Sequence, residues 1–166
     1  MKESAIVYHS LEPVFDSMSS ILILGTMPST ASREAGFYYS HPQNRFWLVM
    51  SAVFNEPLPY TTEQKTNLVL SHGIALWDVL ASCEIRGSED SSIKKPVAND
   101  LAKFVTETGI RKIYTTGEKA DTLYRKLCRQ STGIDAIPLP STSPANRGRY
   151  PLNTLIEIYT TLRQGA

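Results

Sequence analysis

The run Phe37-Tyr38-Tyr39-Ser40-His41-Pro42-Gln43-Asn44-Arg45-Phe46-Trp47 gathers three consecutive aromatics, an imidazole and an amide into one short span. Flat rings beside amide and imidazole groups suit a flat ligand with polar edges, such as a nucleobase. Just upstream, Ile21-Leu22-Ile23-Leu24-Gly25-Thr26-Met27-Pro28-Ser29 reads as a fully apolar strand that ends in a Gly/Pro turn. Ligands of open α/β sheets bind beyond the carboxyl ends of strands, so both segments are expected at one site. A third unusual segment runs from Pro140 to Tyr150. It holds three hydroxyls, two prolines and two arginines, and no Asp or Glu occurs between Asp135 and Glu157. A stiff basic loop of this kind can grip phosphates or enter a nucleic-acid groove. By spacing alone it is equally a solvated connection carrying two arginines.

The elements that must hold these segments alternate between strands and helices, the pattern of an α/β fold. Residues 21–25 suit a strand covered on both faces. Phe46, Trp47, Val49, Met50, Val53 and Phe54 recur at helical spacing, with Asn44 or His41 near the helix start. Thr61 and Gln64 match a capping box, and Gly73 stands at the matching stop. Ile74–Trp77 is a second strand. Residues 81–96, with Gly87, serines at 88, 91 and 92, and Pro96, read as a loop. A helix is expected from about Asn99 to Thr108, a third strand at Ile113–Thr115, and a helix over about 118–130 after Gly117. Ala136–Leu139 is a fourth strand, which Pro138 confines to a sheet edge. Pro151 suits the first turn of a final amphipathic helix. If the strands are parallel, segments 26–45, 115–119 and 140–149 emerge at one end of the sheet.

Composition bounds the function. The chain has 166 residues, 42% hydrophobic and 20% charged, with a formal net charge of +1. That is one soluble domain over residues 1–166 with a full core, and any polyanion site must be a local patch. No apolar run approaches the length of a membrane span, and Met1-Lys2-Glu3-Ser4 lacks a leader's apolar core, so a cytoplasmic protein is expected. Cys83 and Cys128 stand alone, outside any CxxC pattern, and read as free thiols. No metal or cofactor is expected.

Taken together, these residues resemble the uracil-DNA glycosylase superfamily, over roughly residues 20–160. The mismatch-specific branch opens with Gly-Ile-Asn-Pro-Gly, which stands here as Gly25-Thr26-Met27-Pro28-Ser29. Its Gly-Phe-x-Phe-Ala-His-Pro-x-Asn-Arg-Phe-Trp run is Gly36 through Trp47. Its Leu-Pro-Asn-Pro-Ser-Gly-Leu-Ser-Arg motif is matched loosely by Leu139 through Arg147. Two departures choose the branch. Met27 replaces the Asn that positions the attacking water, and a thioether makes no useful hydrogen bond there. Ser141 replaces the second-motif Asn. The hypoxanthine-DNA (deoxyinosine) glycosylase branch lacks the first Asn and relies on the Asn of the His-Pro-x-Asn run, here Asn44. Trp77 through Glu84, Gly87 through Ile93, and Ser141 through Asn146 also resemble that branch.

The resemblance implies a three-layer α/β/α domain with a central, mostly parallel four-stranded sheet, acting as a monomer. It implies a monofunctional DNA glycosylase that hydrolyses the N-glycosidic bond of a deaminated base, preferably hypoxanthine, in double- or single-stranded DNA. Such cleavage builds positive charge on the sugar and negative charge on the leaving base. Asn44 would hold the water or bond the leaving purine; read without the resemblance, it is a cap on the Phe46 helix. Gly25, Thr26, Met27 and Pro28 would line the pocket, the glycine, Thr26 and proline through backbone groups. Tyr39 would stack on the flipped base, with Phe37 and Tyr38 structural, and His41 would touch the base or a phosphate. Ser143 would bind a phosphate, while Ala145, Asn146 and Arg147 would enter the minor groove. Arg33, Arg149, Lys94 and Lys95 are further phosphate candidates. Asp78 and Glu84 are the nearest acids, and both read as structural. The alternatives are mismatch uracil removal, a nucleoside hydrolase whose usual Asp cluster is missing, and a non-catalytic DNA-binding relic.

Overall fold

The computed structural model describes residues 3–164; Met1 and Lys2 lie outside the described residues. Its centre is a four-stranded sheet. The strands are β2 (Ile21–Gly25), β3 (Ile74–Asp78), β6 (Lys112–Thr116) and β7 (Ala136–Leu139), ordered β3-β2-β6-β7. All pairings are parallel, with Gly25 opposite Asp78 and Leu24 opposite Thr115. Four expected strands are thus the four observed ones, and β7 takes the edge that Pro138 demands.

β2 is inaccessible throughout its apolar residues, and its alternation divides the core in two. Ile21 and Ile23 pack with Phe46, Val49, Met50, Leu155 and Tyr159, from α2 (Phe46–Phe54) and α7 (Leu152–Tyr159). Leu22 and Leu24 face Leu101 and Phe104 of α4 (Leu101–Glu107), and Leu123 and Tyr124 of α5 (Glu118–Leu127). Helices on both faces make the three layers. The remaining helices are α1 (Thr30–Ala35), α3 (Thr62–Ser71) and α6 (Arg129–Thr132). The Thr61/Gln64 capping box closes α3 in both directions.

Several local expectations are corrected. Residues 81–96 are not a loop. β4 (Leu80–Arg86) pairs antiparallel with β1 (Ser4–Tyr8) on one side and β5 (Lys94–Ala98) on the other, forming a second, three-stranded sheet. Asn99 does not enter α4; its Nδ2 donates to the carbonyls of Asp78 and Leu80 and ties the β3–β4 corner, while Asp100 caps the helix. The helix after Gly117 breaks at Cys128 into α5 and α6. Pro151 stands at the cap of α7, one residue before its first turn. Segment 26–45 is not all loop, because α1 interrupts it, capped by Ser29 and closed by Gly36 at φ +77°.

Candidate nucleobase-binding site

The chain leaves β2 toward β3 on one side, whereas β6 lies on the other, so the connections diverge between β2 and β6. A crevice opens at such a point beyond the strand ends. A cavity of about 630 Å³ lies there, lined by Gly25, Tyr39, Asn44, Asp78, Thr116 and Thr142 among others. Thr26, Met27, Pro28, His41, Ser143 and Ala145 also line it. One wall was missed in the sequence: Ile85 and the β4–β5 turn at Ser88–Ser91 close it from the second sheet. Thr30 N–H donates to Ser88 Oγ at 3.0 Å, joining that turn to the start of α1.

The floor is built around Gly25. A Cβ there would lie 2.5 Å from Asp78 Oδ1, 3.5 Å from Tyr39 Oη and 3.7 Å from Thr116 Oγ1. Glycine is required because three oxygens converge over its backbone. The backbone carbonyls of Gly25 and Thr26 are engaged within the fold: they accept from Val79 and Leu80 N–H at 2.9 and 3.1 Å. Met27 packs half-buried on the α4/α5 core.

Tyr39 lines the cavity with one ring face laid on Phe46, centroids 3.9 Å apart at 14°. Its φ of +55° is rare for a bulky residue and holds the ring in place at a cost in backbone strain. Burial, and next the Asp78 carboxylate, push its phenol well above the ordinary range, so it stays protonated. Phe37 and Tyr38 are core residues, as expected. Tyr38 donates to the Glu12 carbonyl, and Trp47 Nε1 donates to the Tyr38 carbonyl.

Asn44 Oδ1 accepts from Phe46 N–H and from Thr142 Oγ1, each at 2.8 Å. It takes up the first N–H of α2 from one residue before the Arg45 cap position, and both carbonyl lone pairs are used. Among the described hydrogen bonds none involves Nδ2. The contact to Thr142 also joins the two distant loops. Arg45 N–H donates to the Thr142 carbonyl, Arg45 Nη1 to the Tyr150 carbonyl at 2.6 Å, and Arg147 Nη2 to the Gln43 carbonyl at 3.5 Å. Arg45 is only 5% exposed; burial, then Arg147, lower its pKa. His41 lines the cavity with Nδ1 accepting from Gln43 N–H, which leaves Nε2 as its outward nitrogen.

The 140–150 loop is self-braced. Ser141 Oγ accepts from Ser143 N–H, Ser143 Oγ accepts from Ala145 N–H, and Asn146 Nδ2 donates to the Ser141 carbonyl. Ser143 and Ala145 line the cavity, whereas Asn146 and Arg147 stand outside its lining. Three of the four other phosphate candidates have partners within the chain. Arg33 braces the turn through the Pro28 carbonyl and Thr30, Arg149 pairs with Glu118, and Lys95 pairs with Glu84. Among the described residues no cluster of three or more His, Cys, Asp or Glu is placed to hold a metal, and no helix is long and apolar enough to cross a membrane.

His9, which the sequence did not mark, belongs to this floor. Its Nε2 lies 2.8 Å from Asp78 Oδ2, with the two side chains 4% and 5% exposed. A carboxylate only accepts, so Nε2 is the donor. No spacing motif signals this pair, since 69 residues separate its members.

The whole arrangement has relatives. A Methanosarcina acetivorans protein named hypoxanthine DNA glycosylase is 37% identical over 138 residues, covering 81% of this chain and 85% of its own. One of the same name from Methanosarcina barkeri is 32% identical over 136 residues, with the same coverage. The solution NMR structure of a uracil DNA glycosylase candidate from Methanosarcina acetivorans superposes with a TM-score of 0.81 at 31% identity, covering 97% of this chain and 99% of that one. The Uracil DNA glycosylase superfamily profile matches residues 12–163, which include the residues lining the crevice and both braced loops, and the chain belongs to that superfamily.

Proposed function

We propose that this protein is a monofunctional DNA glycosylase for deaminated bases, with hypoxanthine preferred. Two relatives carry the name hypoxanthine DNA glycosylase. The observation that carries the reading is the state of Asn44. Its Oδ1 is saturated by Phe46 N–H and Thr142 Oγ1, so the group it offers is the Nδ2 donor. A donor serves the leaving base rather than the water. In hydrolysis the water oxygen bonds C1′ and the C1′–N9 bond breaks. The electron pair departs with the purine, and a fixed amide N–H stabilises that charge. The water proton is released to solvent. DNA phosphates favour the cationic sugar, and Tyr39, backed by Phe46, offers a stacking surface to the extruded base. Met27 makes the alternative of efficient mismatch uracil removal the poorer fit. We place Ser143 and Ala145 at the DNA, with Asn146 and Arg147 at the loop tip toward the minor groove. The protein acts as a monomer in one domain, in the cytoplasm, on double- or single-stranded DNA.

The test uses duplexes and single strands carrying one deoxyinosine or one deoxyuridine, followed by alkaline cleavage at abasic sites. Hypoxanthine is released, and Asn44→Asp lowers the single-turnover rate about 100-fold or more while leaving DNA affinity nearly unchanged. Asn44→Asp keeps the Oδ1 acceptor that holds the first N–H of α2, so a loss reports the donor rather than the fold. Cleavage at deoxyuridine alone would assign the pocket to a pyrimidine, and no cleavage with intact binding would make the chain a binding relic.

A further inference from the structure

Hydrolysis of an N-glycosidic bond needs two partners on opposite sides of the sugar. A donor must meet the leaving base, and a proton acceptor must hold the water on the far side of C1′. Asn44 offers the first with its Nδ2, and its Oδ1 is already taken. The geometry points to Asp90, on the wall across the cavity from Asn44, as the group that orients the attacking water and takes its proton. This inference rests on the glycosylase reading and deepens it by naming the group that serves the water.

The main sheet separates the two partners. Asn44 and Tyr39 belong to the wall built on Phe46 and α2, on the Ile21 and Ile23 face of β2. Asp90 stands on the β4–β5 turn, and β4 packs through Leu80, Cys83 and Ile85 on the Leu22 and Leu24 face. Both Asn44 and Asp90 line the same cavity. A base laid on Tyr39 therefore leaves the opposite side, with Asp90, for the sugar and the water. Three carboxyls line the cavity, those of Asp78, Glu89 and Asp90. Asp78 is held by His9, and Glu89 pairs with Arg86 at 3.6 Å. Among the described residues the Asp90 carboxylate has no hydrogen bond or ion pair. Its backbone, by contrast, is fixed. The Asp90 carbonyl accepts from Ile93 N–H at 3.2 Å. Ser92 Oγ accepts from Arg86 N–H at 2.9 Å and donates to the Glu89 carbonyl at 2.6 Å. A braced turn thus carries a free carboxylate, exposed at the mouth, from which a proton can pass to solvent.

In the step, the water oxygen bonds C1′ and its proton passes to an Asp90 oxygen, then to solvent. The purine leaves with the C1′–N9 electron pair and is protonated from solvent. Desolvation by the walls around the carboxyl raises the Asp90 pKa, Lys119 of α5 lowers it, and Asp78 of β3 raises it, with a net rise. Glu89, on the same turn, is offset by Arg86, and His41 lines the opposite wall. Arg33 of α1 approaches from the side through Thr30, which bonds Ser88.

The test is single-turnover excision of deoxyinosine from duplexes between about pH 4 and pH 9. A base works deprotonated, so the wild-type rate is expected to climb about tenfold per pH unit on the acid side and then level off. The bend is expected above the ordinary aspartate value of 3.8. Asp90→Asn, isosteric and on an exposed turn, is expected to be about 100-fold slower at neutral pH and to lose the acid limb, with DNA affinity within about twofold of wild type. A slower variant that keeps the acid limb would overturn the proposal, because a merely structural role leaves that limb in place. So would an Asp90→Asn rate within about threefold of wild type. A wild-type rate that stays flat from about pH 4 to pH 7 would overturn it without any variant, a result that stands even if Asp90→Asn does not fold. Wild-type cleavage at deoxyuridine alone would overturn the base assignment only, and the same profiles on deoxyuridine would then decide the role of Asp90. Cleavage at neither would overturn the glycosylase reading and this assignment together.

Discussion

Asn44 shows how one side chain can satisfy two readings that compete in the sequence. It holds the first N–H of α2 and lines the pocket, because an amide has two ends and only one is needed for each task. The second donor to Oδ1, Thr142 at 2% exposure, fixes the amide plane. Removing it with Thr142→Val leaves the bond to Phe46 but lets the amide turn. The expected result is about a fivefold slower excision and about 1 kcal/mol lower stability, read by single-turnover kinetics and urea unfolding on the same preparation. Unchanged kinetics would mean that the Phe46 contact alone sets the amide. The Asn44 position was legible because it sits in a specific run. Its partner was not, since nothing in Ser141-Thr142-Ser143 says which of three hydroxyls turns inward. The Asp78 carboxylate was visible as an acid near the site, yet its partner His9 follows the end of β1 in the other sheet, and only the folded chain brings them together.

At the level of elements, the parallel sheet was readable because β2 is uniformly apolar, β2, β6 and β7 are soon followed by Gly or Pro, and β3 is preceded by Gly73. The β1-β4-β5 sheet was not. Its pairing of β4 with β5 shifts register between Leu80 and Ser82 and again between Ser82 and Glu84. Those irregularities break the two-residue alternation that marks a strand, and Gly87 followed by five polar residues looks like a loop. The missed hairpin supplies a cavity wall, so an error about an element became an error about the site. The contact between the β6–α5 and β7–α7 connections is a further property of elements. Gly117 has φ +97°, and a Cβ there would lie 3.2 Å from Ser141 Cβ. Gly117→Ala is expected to cost about 1–3 kcal/mol and to push the 140–150 loop off the crevice, measured as a lowered melting temperature together with weaker binding to DNA. Lowered stability with full DNA affinity would separate the two loops.

For the molecule as a whole, burial of ionisable groups sets its limits in alkali and toward thiol reagents. Tyr38, Tyr39 and Tyr159 all have phenols raised above the ordinary value of 10, by burial first in each case. Raised folded-state values mean that this stability is fully present below pH about 10 and is lost as pH climbs above it, where the unfolded chain ionises first. Melting temperatures should hold steady to about pH 9.5 and fall steeply beyond, while a flat profile to pH 11.5 would contradict the burial of these rings. Cys83 and Cys128 are both buried, with thiols raised by burial, Cys128 to about 11. Iodoacetamide at pH 8 should label neither in the native protein and both in urea, as mass spectrometry would count. Finally, neither side of the main sheet is open to growth. The β3 side is closed by Val14, which exchanges two 2.9 Å backbone hydrogen bonds with Leu76. The β7 side carries Pro138, which has no N–H to offer. A foreign strand thus finds each flank interrupted near its middle, which works against fibrillar aggregation when molecules crowd side by side along DNA.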